Sequence, residues 1–357
     1  MMKRFVHGGN IYEDIPADGW LDFSANINPL GLPASAREAI ALHIGDVIHY
    51  PDPAARRLRQ ALSSSYDVAP DALVLGNGAA ELFYLFFQTF RPQRTILPVP
   101  SFSEYERAAL AAGSSVTYFQ LDAQEDFRLD GEKLRAALPE QGCAVVGNPN
   151  NPTGTLLTRE ELMQLADAAA ARKTWLLVDE SFLDFLPDDA PYSLLDAAAE
   201  KPYLFVIRSL TKFFALPGLR LGFGAASPSA VQAMERGKDV WNVNLLAQEA
   251  GAAALQDHAY AEESRGLVAE ERRFLCSRLA FLPGVRVYPT QVNFLLLDIR
   301  GTHLSSTELT ARMRREGVLI RDCGNYPGLD GRSYVRLAVR QHEENVKLLE
   351  RLETILL

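Results

Sequence analysis

The chain has 357 residues, of which 48% are hydrophobic and 23% charged, enough for a sizeable core and more than one simple domain needs. Its net charge of -9 argues against a duplex nucleic acid, which wants a basic surface, but leaves small anions open to local arginines and helix N-termini. Cys143, Cys276 and Cys323 are far apart and in no CxxC spacing, so neither a disulfide framework nor a metal site is expected, and the compartment reads as reducing. The basic start "MMKRFVHGGN" has no apolar stretch behind it, and no run approaches the roughly 18 apolar residues of a membrane helix. A cytoplasmic protein with neither a membrane nor a nucleic-acid partner is the expectation.

Residues 1–45 form an N-terminal segment expected to join a smaller unit. Its "DFSANINPLGLP" is irregular, and a first helix begins near Ser35. Residues 46–265 read as a large domain. Between about 70 and 225 the apolar runs "ALVLG", "RTILPV", "SSVTYFQL", "CAVVGN", "TWLLVDE", "YLFVIRS" and "RLGFGA" alternate with helical patterns. That alternation predicts an α/β fold with a mostly parallel central sheet covered by helices. In "LTREELMQLADAAAARK", Thr158 and Glu161 fit a capping box, and Leu162, Leu165 and Ala169 recur at helical spacing. Residues 266–357 change texture: a charged helix, then "GVRVYP", "VNFLLLDI", "VLIRDCG" and "SYVRLAV", closed by "EENVKLLERLETIL". This predicts a small α+β unit with an antiparallel sheet.

Four stretches fall at strand ends, where open α/β sheets place their ligands. "LGNGAAELF" sets Gly78 before a helix whose first amides, on Ala79 and Ala80, can cradle a phosphate; the same residues also suit a plain turn. "VVGNPNNPTG" is rigid enough to aim an Asn side chain, and equally enough for a turn. "LLVDESFLDF" ends a buried strand with Asp179 and Glu180, and a carboxylate there wants a cation, a protonated ring nitrogen or a helix N-cap role. "RSLTKFFALPGLRLG" sets Lys212 just past an apolar strand, with Ser209, Thr211 and Arg220 able to grip a phosphate while the lysine supplies an amine. A phosphate, a ring nitrogen and an aldehyde carbonyl are the parts of pyridoxal 5'-phosphate. Lys212 would hold it as a Schiff base and Asp179 would keep the ring protonated.

The order and wording of these stretches resemble the fold-type I PLP enzymes, in the branch that contains histidinol-phosphate aminotransferase. The resemblance spans nearly the whole chain. It implies that Asn151 of "NPTG" hydrogen-bonds the cofactor's phenolic oxygen and that Phe102 of "PSFSEY" stacks on the ring. It also implies that Ser209, Thr211, Arg220, Gly78 and the amides of Ala79 and Ala80 bind the phosphate. Tyr50 of "HYPDP" would reach the phosphate of a neighbouring subunit, making a homodimer with shared sites, and Arg336 of "YVRLAV" would grip the substrate carboxylate. One position departs: many relatives carry Tyr three residues after the aspartate, and this chain has Phe182.

"HGGNI", "LDFSANINPLGLP" and "LIRDCGNYPGLDGRSYVRLAVR" are further similar to the threonine-phosphate decarboxylases of cobalamin biosynthesis. That resemblance implies decarboxylation of L-threonine O-3-phosphate, with His7, Asn26 and Arg321 holding the substrate phosphate and Arg336 the carboxylate. The alternative is an aminotransferase of the histidinol-phosphate type, using the same Lys212 and Asp179. A PLP-binding transcription regulator would need a basic DNA-binding domain, and a P-loop enzyme a GxxxxGK[ST] motif; neither feature is in the sequence.

Overall fold

The computed structural model describes residues 7–357; residues 1–6, the start of the expected N-terminal segment, lie outside the described residues. Chain order begins with β1 (Leu21–Asp22), α1 (Ala34–His43), α2 (Arg56–Tyr66), β2 (Leu73–Asn77), α3 (Ala79–Phe90), β3 (Arg94–Val99), α4 (Ser103–Ala111) and β4 (Ser115–Gln120). It continues through α5 (Gly131–Ala137), β5 (Cys143–Gly147), α6 (Arg159–Ala171), β6 (Trp175–Asp179), β7 (Leu204–Ser209), the single turn α7 (Leu210–Phe213), β8 (Leu221–Ala226) and α8 (Pro228–Glu235). All seven strands expected between 70 and 225 are present. They form one sheet in the order β2-β8-β7-β6-β5-β3-β4.

Alternate residues of these strands pack on opposite faces. Leu176 and Val178 enter one core with Leu204 and Val206, while Leu177 enters the other with Phe205 and Ile207. With both faces covered, the strands read as unbroken apolar runs rather than alternating ones. The sheet is parallel except at β8, which runs antiparallel to β2 and β7. That reversal matters for the site. The start of β8 lies beside the carboxyl ends of its neighbours, with Leu221 opposite Asn77 and Gly222 opposite Ser209, so Arg220 arrives at the same edge. The capping box on α6 forms as expected, Thr158 accepting from the Glu161 amide and Glu161 from the Thr158 amide.

The remaining elements are α9 (Leu245–Leu255), α10 (His258–Leu279), β9 (Arg286–Val287), β10 (Phe294–Asp298), α11 (Ser306–Arg315), β11 (Val318–Leu319), β12 (Arg321–Asp322), β13 (Tyr334–Ala338) and α12 (His342–Leu356). The antiparallel sheet β12-β13-β10-β9 covers a third core that includes Leu275, Leu309, Leu348 and Phe23. Two details differ from the sequence reading. "VLIRDCG" is not one strand: it leaves β11 at Leu319 and enters a different sheet at Arg321. The N-terminal stretch is not wholly irregular, because Leu21 and Asp22 pair in parallel with Val318 and Leu319. Burial of Phe23, which no local pattern announces, anchors that pairing. No helix among the described residues is long and apolar enough to cross a membrane.

Candidate active site

A cavity of about 710 Å³ opens at the carboxyl edge of the main sheet and is closed from above by the small sheet and the N-terminal segment. Of the expected site residues, His7, Asn26, Ala79, Ala80, Phe102, Asn151, Asp179, Ser209, Thr211, Lys212, Arg220, Arg321 and Arg336 line it. Tyr50 does not. It is 77% exposed and stacks on Trp241 with ring centroids 4.4 Å apart, outside the cavity of its own chain.

One end of the cavity is a cup built from glycine geometry. Gly78 has φ +81°, and a side chain there would meet the Arg220 guanidinium at 2.2 Å; one on Gly222 would meet the Ala79 amide at 2.5 Å. These two absences let β8 and Arg220 close against the first turn of α3, whose leading amides have no helical acceptor. Across from them Ser209 and Thr211 share a hydrogen bond of 2.7 Å, and Lys212 Nζ donates to Thr211 Oγ1 at 2.9 Å. Burial pushes the Lys212 amine down from 10.5 to about 8; Asp179 opposes this, and the positive charges of Arg220 and Arg336 add to it.

Asp179 ends β6. Its Oδ1 accepts from the Ser181 amide at 3.0 Å and its Oδ2 from the Tyr105 hydroxyl at 2.5 Å. The sequence leaves open whether Tyr105, one helical turn beyond Phe102 in "PSFSEY", touches substrate, and gives no sign of its contact with Asp179. Phe102 caps the start of α4 and meets the Tyr105 ring edge-on at 5.6 Å. Phe182, three residues after Asp179, faces Phe294 at 5.0 Å and presents a ring 6.0 Å from Lys212 Nζ, so no hydroxyl is offered from that position.

The roof carries the charges. Arg321 and Arg336 are register partners on β12 and β13, so both guanidinium groups are delivered to one face of the small sheet. Arg336 donates to Asn151 Oδ1 at 2.6 Å and to the Ser24 carbonyl at 2.8 Å, while its buried Nε has no hydrogen-bond partner among the described residues. With Oδ1 committed to the arginine, Nδ2 is the end Asn151 can offer the cavity. Arg321 lies over the Tyr326 ring and donates to Asn325 at 2.7 Å. Buried Asn26 likewise keeps an unpartnered Oδ1. His7 is brought in because Gly8 packs against the Ser24 carbonyl with no space for a side chain. Its Nε2 lies 3.0 Å from Glu104, a carboxyl held below its usual range chiefly by that hydrogen bond, against the effect of burial. Among the described residues, five lysine and arginine side chains thus line the cavity against three carboxylates, Asp22, Glu104 and Asp179, each of which already accepts from protein donors.

An amine-bearing lysine with a depressed pKa, a carboxylate fixed at a strand end, and a cup of helix amides, hydroxyls and one arginine define a PLP-dependent enzyme of the aminotransferase fold. The buried unpartnered donor and the glycine-made cup fit a phosphate-bearing pyridine aldehyde and its anionic substrate. Residues 18–352 match the family described as aminotransferase class I and II, and the chain belongs to that family, whose members are PLP-dependent. It is 38% identical to a threonine-phosphate decarboxylase of Salmonella typhimurium, covering 98% of this chain and 96% of that protein. Among solved structures, a histidinol-phosphate aminotransferase from Clostridium acetobutylicum matches with TM-score 0.87 and 32% identity, covering 93% of this chain and 98% of that one. An L-threonine-O-3-phosphate decarboxylase from Porphyromonas gingivalis matches with TM-score 0.82 and 28% identity over the same shares.

Proposed function

We propose that this chain is a PLP-dependent decarboxylase that converts L-threonine O-3-phosphate to (R)-1-amino-2-propanol O-2-phosphate, a precursor of the aminopropanol linker of cobalamin. The observation that carries the reading is the pairing of Arg321 with Arg336 on neighbouring strands above Lys212. It gives a small substrate with two anionic ends two forked cations, one for each end.

Bound in the cup, PLP supplies an electron sink for the pair left on the substrate's α-carbon. The rest is the protein's work. Lys212 offers an amine that is substantially neutral near pH 8 and can therefore capture an aldehyde. Asp179 would hold a proton at the ring nitrogen, Asn151 would donate to the phenolic oxygen, and Phe102 would cover one ring face. Phe182 leaves that phenolic oxygen with one donor fewer than a tyrosine would give.

Arg336 would hold the substrate carboxylate and thereby fix the orientation of the substrate's α-carbon in the cavity. Arg321, His7 and Asn26 hold the phosphate. Lys212 Nζ, which lines the same cavity, would be the group placed to return a proton to the α-carbon. Residues 46–265 serve as the cofactor frame, and 266–357 with the N-terminal segment as the substrate cap.

The exposed apolar side chains Leu42, Ile44, Val47, Ile48 and Trp241 beside Tyr50 support a homodimer in which Tyr50 completes the neighbour's phosphate cup. The second reading, an aminotransferase of the histidinol-phosphate type, is favoured by the TM-score of 0.87 to such an enzyme. Incubating the PLP-loaded protein with L-threonine O-3-phosphate and no keto acid decides between them. Repeated turnover to aminopropanol phosphate, identified by mass, is expected. Silence until a keto acid is added would replace the decarboxylase with the aminotransferase.

A further inference from the structure

The Tyr105 hydroxyl is buried on α4 and touches the one carboxylate assigned to the cofactor ring. It donates to Asp179 Oδ2 at 2.5 Å across 74 positions of sequence, while the Ser181 amide takes Oδ1. The hydroxyl is closely packed: a side chain on Gly147, at the end of β5, would sit 3.3 Å from it and 3.1 Å from the Asn150 backbone. Burial and the Asp179 charge raise the phenol well above its ordinary value, so it stays a donor across the working pH range. Its ring also braces Phe102, the aromatic side chain assigned to the ring face, at 5.6 Å.

We propose that Tyr105 is a positioning residue that sets how much negative charge Asp179 presents to the cofactor's ring nitrogen. The proposal rests on the cofactor assignment above, but not on which reaction follows. A hydroxyl donor draws charge onto itself, and a carboxylate so engaged stabilises a neighbouring cation less than a bare one. Tyr105 therefore tempers the pull of Asp179 on the ring whose phenolic oxygen Phe182 leaves with one donor fewer.

The test needs no substrate. PLP is added to wild type and to Y105F, and the visible absorbance of the bound cofactor is titrated with pH. Lys212, Arg220, Arg321 and Arg336 face the cavity from the other elements, with His7 and Glu104 at its far side, and all are the same in both proteins. In Y105F the midpoint should move up by about half a pH unit, because the fuller charge of Asp179 favours the protonated cofactor. In the D179N background the same substitution should leave the midpoint in place.

An unchanged midpoint in Y105F, with only a lower unfolding temperature, would make Tyr105 a packing residue and overturn the proposal; so would a shift that persists with D179N. Should Y105F not fold, 3-fluorotyrosine at position 105, a stronger donor of similar shape, must move the midpoint down, and no movement there is equally fatal. A wild type that takes up no PLP sinks the cofactor assignment itself. A normal titration with no decarboxylation sinks only the reaction.

Discussion

Two clusters of charge stand at the ends of the same two strands and obey opposite rules. Asp179 and Ser209 point into the cavity, while their immediate neighbours Glu180 and Arg208 do not line it, as the alternation of an extended chain requires. Arg208 is fully buried and all three of its guanidinium nitrogens are satisfied, although its partner Asp184 keeps a buried Oδ2 without a hydrogen bond among the described residues. It donates to Glu180 at 3.0 Å, Asp184 at 2.8 Å, Asp189 at 2.7 Å and Ser193 at 3.1 Å. Burial works against its charge, and Asp184 and Glu180 more than offset that. The cavity cluster is instead left open, with cations crowding a lysine and a guanidinium Nε unpartnered. A closed network holds two strand ends in register; an open one with surplus charge is a place for an anion.

Replacing Lys212 with Ala should have the largest effect on the open side: the visible absorbance of bound PLP and all turnover should vanish. A variant that keeps both would remove the site assignment altogether. Arg336→Gln should come next, lowering kcat/KM for the phosphorylated amino acid by about two to three orders of magnitude, because a buried forked charge is lost from the substrate. Steady-state kinetics on the folded variant give this figure, and a loss of tenfold or less would move the carboxylate to another residue.

On the closed side the expectation reverses. Arg208→Met strands Glu180 and Asp184 without a cation and should cost roughly 3–5 kcal/mol of stability in urea denaturation, with KM nearly unchanged in whatever protein folds. A stable Arg208→Met protein with a raised KM would erase the distinction between the clusters.

The smallest effect separates the two by pH. In the cofactor-free chain Lys212 titrates at about 8 rather than 10.5, so between those values the unfolded chain binds more protons than the folded one. Stability should therefore rise with pH through that window, and the full cost of the buried charge is carried below it. Relative to Lys212→Met, the wild type should be less stable at pH 7 and should close the gap by pH 10 in thermal melts. A constant gap would mean that the amine is not depressed.

Much of the site was readable along the chain because strand ends and helix starts are local events. The run "YLFVIRS" predicts β7 and therefore the rim position of Lys212; "LLVDE" does the same for Asp179, and the Gly78 turn before α3 marks the cup. The unread parts depend on distant segments. That β8 runs antiparallel, bringing Arg220 to the edge, is not written in "RLGFGA", whose apolar run suits either direction. Tyr105 reads as one more aromatic of an amphipathic helix, since its partner lies 74 positions away. Arg321, taken without the family resemblance, reads as a surface ion-pair partner until β12 and β13 set it opposite Arg336.

By itself the sequence determined the alternation of strands and helices, the chemistry available at each strand end, and the shortage of a hydroxyl at Phe182, because propensity, periodicity and side-chain type are properties of short segments. Only the tertiary structure decided which charges are closed and which remain open. That outcome depends on sheet register, on close approaches such as Gly78 to Arg220, and on the burial that moves the Lys212 amine, and each of these exists only once remote segments exclude water together.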